Sequence, residues 1–325
     1  MPYSLYYSFK EYVDNRHAVS ENRDTYINTV VESDENAPDV VLVLGESLRA
    51  DHLPMNGYER NTMPRVSRDS SVINFSRLYS EFTYTYTSVP HLLTQRSDNS
   101  DYAYNEQSFI TLFKKGGYKT SWFANQELSN SYAYFAHEAD TLYYVNADRS
   151  LYSYDKWLDT DILPLFSEWY DIKTAGAPRF AVIHTIGSHW WYRSHYTDEH
   201  ALFTPEISHK DIGGLSKQEL VNSYDNTIIA TDEFLYEVFR KLENENVIVL
   251  FVSDHGEALG EDGLFLHATE TDILHYPAMF VWYSEKYRDI FPEVIDELES
   301  IKDKELDTGA IFDIVLYISR LKIEW

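Results

Sequence analysis

Residues Asp39 to His52 read D-V-V-L-V-L-G-E-S-L-R-A-D-H. The apolar run Val40 to Leu44 ends at Gly45, and the carboxylate of Glu46 follows at once. A short run of β-branched and apolar residues closed by glycine reads as a strand buried on both faces of a parallel sheet. In open α/β sheets, ligands bind beyond the carboxyl ends of the strands. Glu46 is therefore a functional candidate by position alone. The other reading makes it a helix N-terminal carboxylate held by the macrodipole.

Working outward, the same signature recurs. Val72 to Tyr79, Tyr118 to Phe123, Phe180 to Ile186 and Val247 to Val252 read as strands. Between them the pattern predicts helices over Ser108 to Lys115, stopped by Gly116-Gly117, and over Asp159 to Ile172, where Pro164 must sit near the first turn. Ser216 to Glu243 reads as a long helix, with Ser216 and Glu219 as a capping box. Pro292 to Asp303 and Thr308 to Leu321 read as two more. The alternation argues for an α/β fold: a doubly wound, mostly parallel central sheet with helices on both faces. Four of the strands run into polar clusters containing Glu46, Asn125, His189 and Asp254-His255. Four such endings at one sheet edge would build a site.

Ahead of the first strand, Pro2 to His17 carries Tyr6, Phe9 and Val13 at helical spacing and reads as a partly amphipathic helix. Ala18 to Pro38 is polar and acidic and reads as a linker. The expected organisation is thus a helix and linker over 1–38 and a single domain over 39–325. No apolar run approaches the ~18 residues of a membrane span.

The chain holds 53 acidic and 27 basic residues, a formal net charge of -26, so its surface repels nucleic acid. An acidic surface favours divalent cations, although solubility alone also accounts for acidity. The absence of cysteine excludes disulfides, thiolate zinc sites and a cysteine nucleophile. Any metal must use His, Asp, Glu or hydroxyl ligands.

Asp254-His255-Gly256-Glu257 places a carboxylate and an imidazole at a strand end, with a glycine that permits close backbone approach. These are natural zinc ligands; the alternative is a turn with a capped helix start. His267 and His189 stand alone in sequence, as a core or surface histidine would. His189 gains functional weight just past a strand end, whereas His184, inside its apolar run, reads as core. Thr85 lies in the hydroxyl-rich E-F-T-Y-T-Y-T-S-V-P-H-L-L-T-Q segment. A hydroxyl beside a metal is a credible nucleophile. Without a metal the segment is a Thr/Tyr-rich strand or turn.

Taken together, V-L-V-L-G-E-S-L-R-A-D-H-L-P-M-N-G-Y, T-Y-T-S-V-P and V-S-D-H-G-E-A-L-G-E-D-G-L-F-L-H resemble the bacterial phosphoethanolamine transferases of the alkaline phosphatase and sulfatase superfamily. F-K-K-G-G-Y-K-T-S-W-F-A-N-Q and V-I-H-T-I-G-S-H resemble segments of the same family. The resemblance implies one tightly bound zinc held by Glu46, Thr85, Asp254 and His255, with Thr85 as nucleophile. His189 and His267 match two histidines near the reacting phosphate, placed to bind the phosphoryl group, protonate a leaving oxygen or hold a second zinc. Asn125 matches an asparagine near the phosphate pocket. The implied reaction moves phosphoethanolamine from phosphatidylethanolamine to an envelope glycolipid or glycan, such as lipid A or the lipopolysaccharide core. It runs through a covalent threonine intermediate at the periplasmic face of the bacterial inner membrane.

P-Y-S-L-Y-Y-S-F-K-E-Y resembles the stretch after the family's transmembrane helices, which implies a membrane anchor outside this chain. Two departures stand out. Many relatives brace the nucleophile loop with disulfides, and His91 stands where some have a cysteine. Sulfatases make formylglycine in a C/S-x-P-x-R context, and Ser88-Val89-Pro90-His91-Leu92 lacks the arginine. A phosphoglycerol transferase or metal-dependent phosphodiesterase of the same fold, and a non-catalytic envelope domain, are the competing readings.

Overall fold

In the computed structural model, residues 25–95, 106–127, 132–149, 154–172, 174, 176–267 and 271–325 are described. The seven strands of the main sheet are β1 (Asp39–Gly45), β2 (Val72–Phe75), β3 (Lys119–Ala124), β4 (Thr141–Tyr144), β5 (Arg179–His184), β6 (Val247–Ser253) and β7 (Met279–Tyr283). Their spatial order is β2-β7-β6-β1-β5-β3-β4. The run β6-β1-β5-β3-β4 is parallel throughout, and β7 is antiparallel to both β6 and β2. The sheet is therefore doubly wound and mostly parallel, with an antiparallel insertion toward one edge.

The opening stretch occupies the middle of this sheet. Because side chains alternate across a strand, Val40, Leu42 and Leu44 face one layer and Val41 and Val43 the other. The first layer contains α1 (Thr85–Leu93), α2 (Phe109–Lys115), α5 (Pro292–Ile301) and α6 (Ala310–Ser319). The second contains α3 (Ile162–Asp171) and α4 (Lys217–Leu242). Both layers are required, since no face of β1 is polar enough to meet water.

The capping box of α4 forms as expected, with Ser216 accepting from the Glu219 amide and Glu219 closing back on Ser216. A 3-10 turn over Asp159–Asp161 precedes α3, which leaves Pro164 in the first helical turn, where it removes no intrahelical bond. The expected strand Val72 to Tyr79 breaks in two: Leu78–Tyr79 leaves the main sheet to pair with Leu306–Asp307. Within the expected linker, Val30–Glu32 pairs with Lys322–Glu324 and Tyr26 is buried in the first layer. The expected helix over residues 2–17 lies outside the described residues. Among the described residues no helix is long and apolar enough to cross a membrane.

Register fixes the site. Gly45 pairs with Ser253, Leu44 with His184, and Ala124 with His184. The carboxyl ends of β1, β3, β5 and β6 therefore coincide, and the segments that follow them emerge together.

Candidate active site

Glu46 leaves β1 fully buried. Ser47 then takes φ 59, a left-handed conformation uncommon for a non-glycine residue. This turn lets the Ser47 hydroxyl donate to Glu46 Oε1 at 2.7 Å, while its amide donates to Asp254 Oδ1 at 3.1 Å. The ends of β1 and β6 are thus tied through the two carboxylates. Burial pushes the Glu46 carboxyl up, but the neighbouring His255, His189 and His267 outweigh it and hold it well below the usual range. Asp254 goes the other way, raised by burial and by the charge of Glu46.

His255 is also fully buried. Its Nδ1 lies 2.7 Å from the Gly256 carbonyl, which can only accept. Nδ1 therefore carries the proton and Nε2 the lone pair, the tautomer that a second hydrogen bond imposes on metal-binding histidines. Gly256 is needed here because a Cβ would sit 2.4 Å from the Ile273 carbonyl oxygen.

Thr85 opens α1, where its hydroxyl sits at the positive end of the helix. Thr85 Oγ1 donates to Glu46 Oε2 at 3.0 Å and lies 3.3 Å from His255 Nε2. The segment that presents it is a helix rather than a strand or turn, because Val89, Leu92 and Leu93 bury one face in the first layer. Hydrogen bonds and packing hold the loop in place of disulfides. Ser80 Oγ donates to the Phe82 carbonyl at 2.8 Å, and the Phe82 ring meets His91 edge-on. The Ser88 hydroxyl bonds the Tyr84 carbonyl within its own helix.

These atoms define a common space. His255 Nε2 is 3.3 Å from Asp254 Oδ2, 3.6 Å from Glu46 Oε1 and 3.3 Å from Thr85 Oγ1. Ligand bonds of ~2.0 Å in a tetrahedron imply ligand-to-ligand separations of ~3.3 Å. Asp254 Oδ2 is buried without a hydrogen-bond donor among the described residues. A buried carboxylate oxygen in that state calls for a cation. Two carboxylates, an imidazole lone pair and a hydroxyl suit zinc by type and by spacing. Ligand atoms of Glu46, His255 and His267 also lie within 4.8 Å of one another, so His267 borders the same space.

His267 is oriented by Glu257, with Nδ1 3.1 Å from Oε2. Burial favours the neutral ring, but the Glu257 hydrogen bond and charge prevail and push the His267 pKa up to about 9. Glu257 is itself buried and takes a second donor, the Tyr192 hydroxyl, at 2.8 Å. If protonated His267 serves the reaction, activity is lost as pH rises through about 9. Glu257→Gln should move that alkaline limb to lower pH, read from kcat/KM against pH. The ring of His189 lies 5.8 Å from that of His267, and its Nδ1 meets the Trp190 carbonyl. His184 is buried against Trp122 and Tyr132, in the core as its position in the strand implied.

Asn125 sits beneath the site. Its amide donates to the Leu158 carbonyl and to Asp159 Oδ1, and its Oδ1 accepts from Asn146 and Trp157. The side chain that reaches the site is the next one: Gln126 Nε2 donates to Glu46 Oε2 and to the Thr185 carbonyl, both at 2.8 Å. Sequence reasoning passed over Gln126, although it adjoins Asn125, and gave Glu257 no role within D-H-G-E. It also passed over Asp159, whose carboxylate accepts from the amides of Ile186 and Gly187 and so holds the turn before His189. No local signal marks Asp159.

Gly187 in that turn has φ +47, and a Cβ there would lie 2.9 Å from the Glu46 carbonyl oxygen. Gly187→Ala is expected to destabilise by more than ~1 kcal/mol and to displace Glu46. A lower Tm together with weaker zinc uptake would register both effects.

A buried metal-type centre at the carboxyl edge of a doubly wound sheet, with a threonine hydroxyl at a helix start beside it, defines the alkaline phosphatase and sulfatase class of α/β domain. The sulfatase family model matches residues 38–304, and the chain belongs to that family. It is similar to the phosphatidylethanolamine transferase Mcr-1 of Escherichia coli, 30% identical over 70% of this chain and 44% of the relative. The soluble domain of lipooligosaccharide phosphoethanolamine transferase A from Neisseria meningitidis superposes with a TM-score of 0.80 at 26% identity, covering 91% of this chain and 92% of that one. The integral membrane form of that enzyme gives 0.79 at 25% identity, over 97% of this chain and 61% of the other. The chain thus spans less than half of the curated relative.

Proposed function

We propose that this chain is the catalytic domain of a zinc-dependent phosphoethanolamine transferase, acting at the periplasmic face of the bacterial inner membrane. The observation that carries the reading is the placement of Thr85 Oγ1, Asp254 Oδ2 and Glu46 Oε1 at 3.3, 3.3 and 3.6 Å from His255 Nε2, spacings that suit ligands of a shared cation. The names of the relatives support the group transferred and, through lipooligosaccharide, a glycolipid acceptor. The integral membrane relative supports an anchor outside this chain.

Bound zinc would lower the pKa of the Thr85 hydroxyl and offset charge on a phosphoryl oxygen. Glu46 accepts the hydroxyl hydrogen bond and orients Oγ1, and the start of α1 favours its anionic form. Thr85 Oγ attacks phosphorus of phosphatidylethanolamine, and the bond to the diacylglycerol oxygen breaks. His267, or His189 beside it, gives that oxygen its proton. Phosphoethanolamine is then esterified to Thr85. An acceptor hydroxyl or sugar phosphate attacks the same phosphorus, its proton passing to the histidine where it carries one, and Thr85 is released.

Mass spectrometry of envelope glycolipids, with and without the protein joined to its membrane part, tests the reading. A gain of one phosphoethanolamine on a defined sugar is the expected result. A gain of phosphoglycerol, or hydrolysis with no modified glycolipid, would favour the phosphoglycerol transferase or phosphodiesterase instead.

A further inference from the structure

Beside Thr85 lies a cavity of about 270 Å³, below the ~300–1,000 Å³ that accommodates drug-sized ligands. It has room for a lipid head group. Its walls include Tyr84, Tyr86, Tyr132 and Trp157, with Gln126 and Glu127 on one side. No lysine or arginine is among the described lining residues; His189 and His267 also line it, His267 on the side next to His255.

Glu127 is exposed and forms no ion pair among the described residues. Its backbone is nonetheless fixed from both sides. Gln126 is anchored to Glu46 and to the Thr185 carbonyl, and the Tyr132 hydroxyl donates to the Glu127 carbonyl. Glu127 therefore stands at the rim of a small aromatic chamber that Thr85 also lines.

We propose that this chamber seats the ammonium of the donor head group, with Glu127 as its counter-ion, and so selects ethanolamine over uncharged head groups. The inference rests on the transferase reading. A primary ammonium has three donors and no acceptor, so it needs acceptors around it. Aromatic faces add attraction for a cation that has shed water. A glycerol head group gains nothing from a carboxylate counter-ion. With phosphorus at Thr85, the short ethanolamine arm reaches the adjoining chamber.

The test measures kcat/KM for diacylglycerol release from dihexanoyl phosphatidylethanolamine and dihexanoyl phosphatidylglycerol by the zinc-loaded protein, with lipid A present as acceptor so that the enzyme turns over. Wild type should prefer the ethanolamine lipid. Glu127→Gln should reduce that preference about tenfold, mainly through KM, and Glu127→Lys should reduce it further, with Glu127→Asp retaining most of it. Because the side chain is exposed, all three variants should melt as wild type does. An unchanged preference in both the Gln and Lys variants overturns the proposal, as does a wild-type preference for the glycerol lipid. Release from neither lipid by folded, zinc-loaded wild type sinks the transferase reading and this inference with it.

Discussion

Thr85→Ala is expected to abolish transfer, with kcat reduced by about 10³-fold or more, as when a nucleophile is removed from a concerted site. The folded domain should survive the change. Helix α1 is held by Val89, Leu92 and Leu93 rather than by the Thr85 hydroxyl. Thr85→Ser keeps an oxygen near Glu46 and His255 and should retain measurable activity. Because the proposed route passes through a covalent enzyme, steady-state kinetics should be ping-pong. Intact-mass analysis after exposure to donor alone should find one phosphoethanolamine on wild type and none on the alanine variant. An alanine variant that still transfers at the wild-type rate would remove Thr85 from the mechanism and leave the acceptor itself to attack phosphorus directly.

Glu46, Asp254 and His255 were legible in the sequence because each follows an uninterrupted apolar run. Such runs become central parallel strands, and their ends are where sites form. The strand order was not legible. It depends on which runs pair across hundreds of residues, and Met279–Tyr283, an antiparallel strand inserted between two others, carries no local mark of its direction. The helix at Thr85 was hidden by β-branched and aromatic residues of low helical propensity. Burial of Val89, Leu92 and Leu93 overrides that preference. Gln126 and Asp159 were invisible for a different reason. Each acts only through contacts to another strand end, with Gln126 reaching Glu46 and Asp159 reaching the amides at 186 and 187. The segment before β1 read as a linker because its composition is polar. Yet one buried ring, Tyr26, and one short pairing, Val30–Glu32 with Lys322–Glu324, attach it to the domain.

Asp254→Asn separates what the centre contributes to chemistry from what it contributes to stability, and the two should move in opposite directions. The asparagine oxygen can still accept from the amides of Ser47 and His255, so the turn is preserved. What changes is Oδ2, the buried oxygen without a donor, which sits 3.3 Å from His255 Nε2. In its place stands an amide nitrogen that can donate but cannot bind a cation. Zinc affinity should therefore fall by more than the ~10–100-fold typical of outer-shell changes, and transfer should fall with it. In metal-free protein the direction reverses. Wild type holds Asp254 and Glu46 buried together, and burial first, then repulsion from Glu46, raises the Asp254 pKa. Removing one of the two charges relieves that repulsion, so metal-free Asp254→Asn should melt higher than metal-free wild type, by about 2 °C per kcal/mol relieved. Added zinc should then reorder the pair. At a hundredfold excess over Kd it stabilises wild type by ~2.7 kcal/mol, and a variant that no longer binds it gains nothing. Thermal melting with and without zinc, read beside metal content, distinguishes this from simple misfolding, which would lower Tm in both conditions. A variant that keeps wild-type zinc affinity would mean that Asp254 is not a ligand, and that the cation is held by Glu46, His255 and His267 instead.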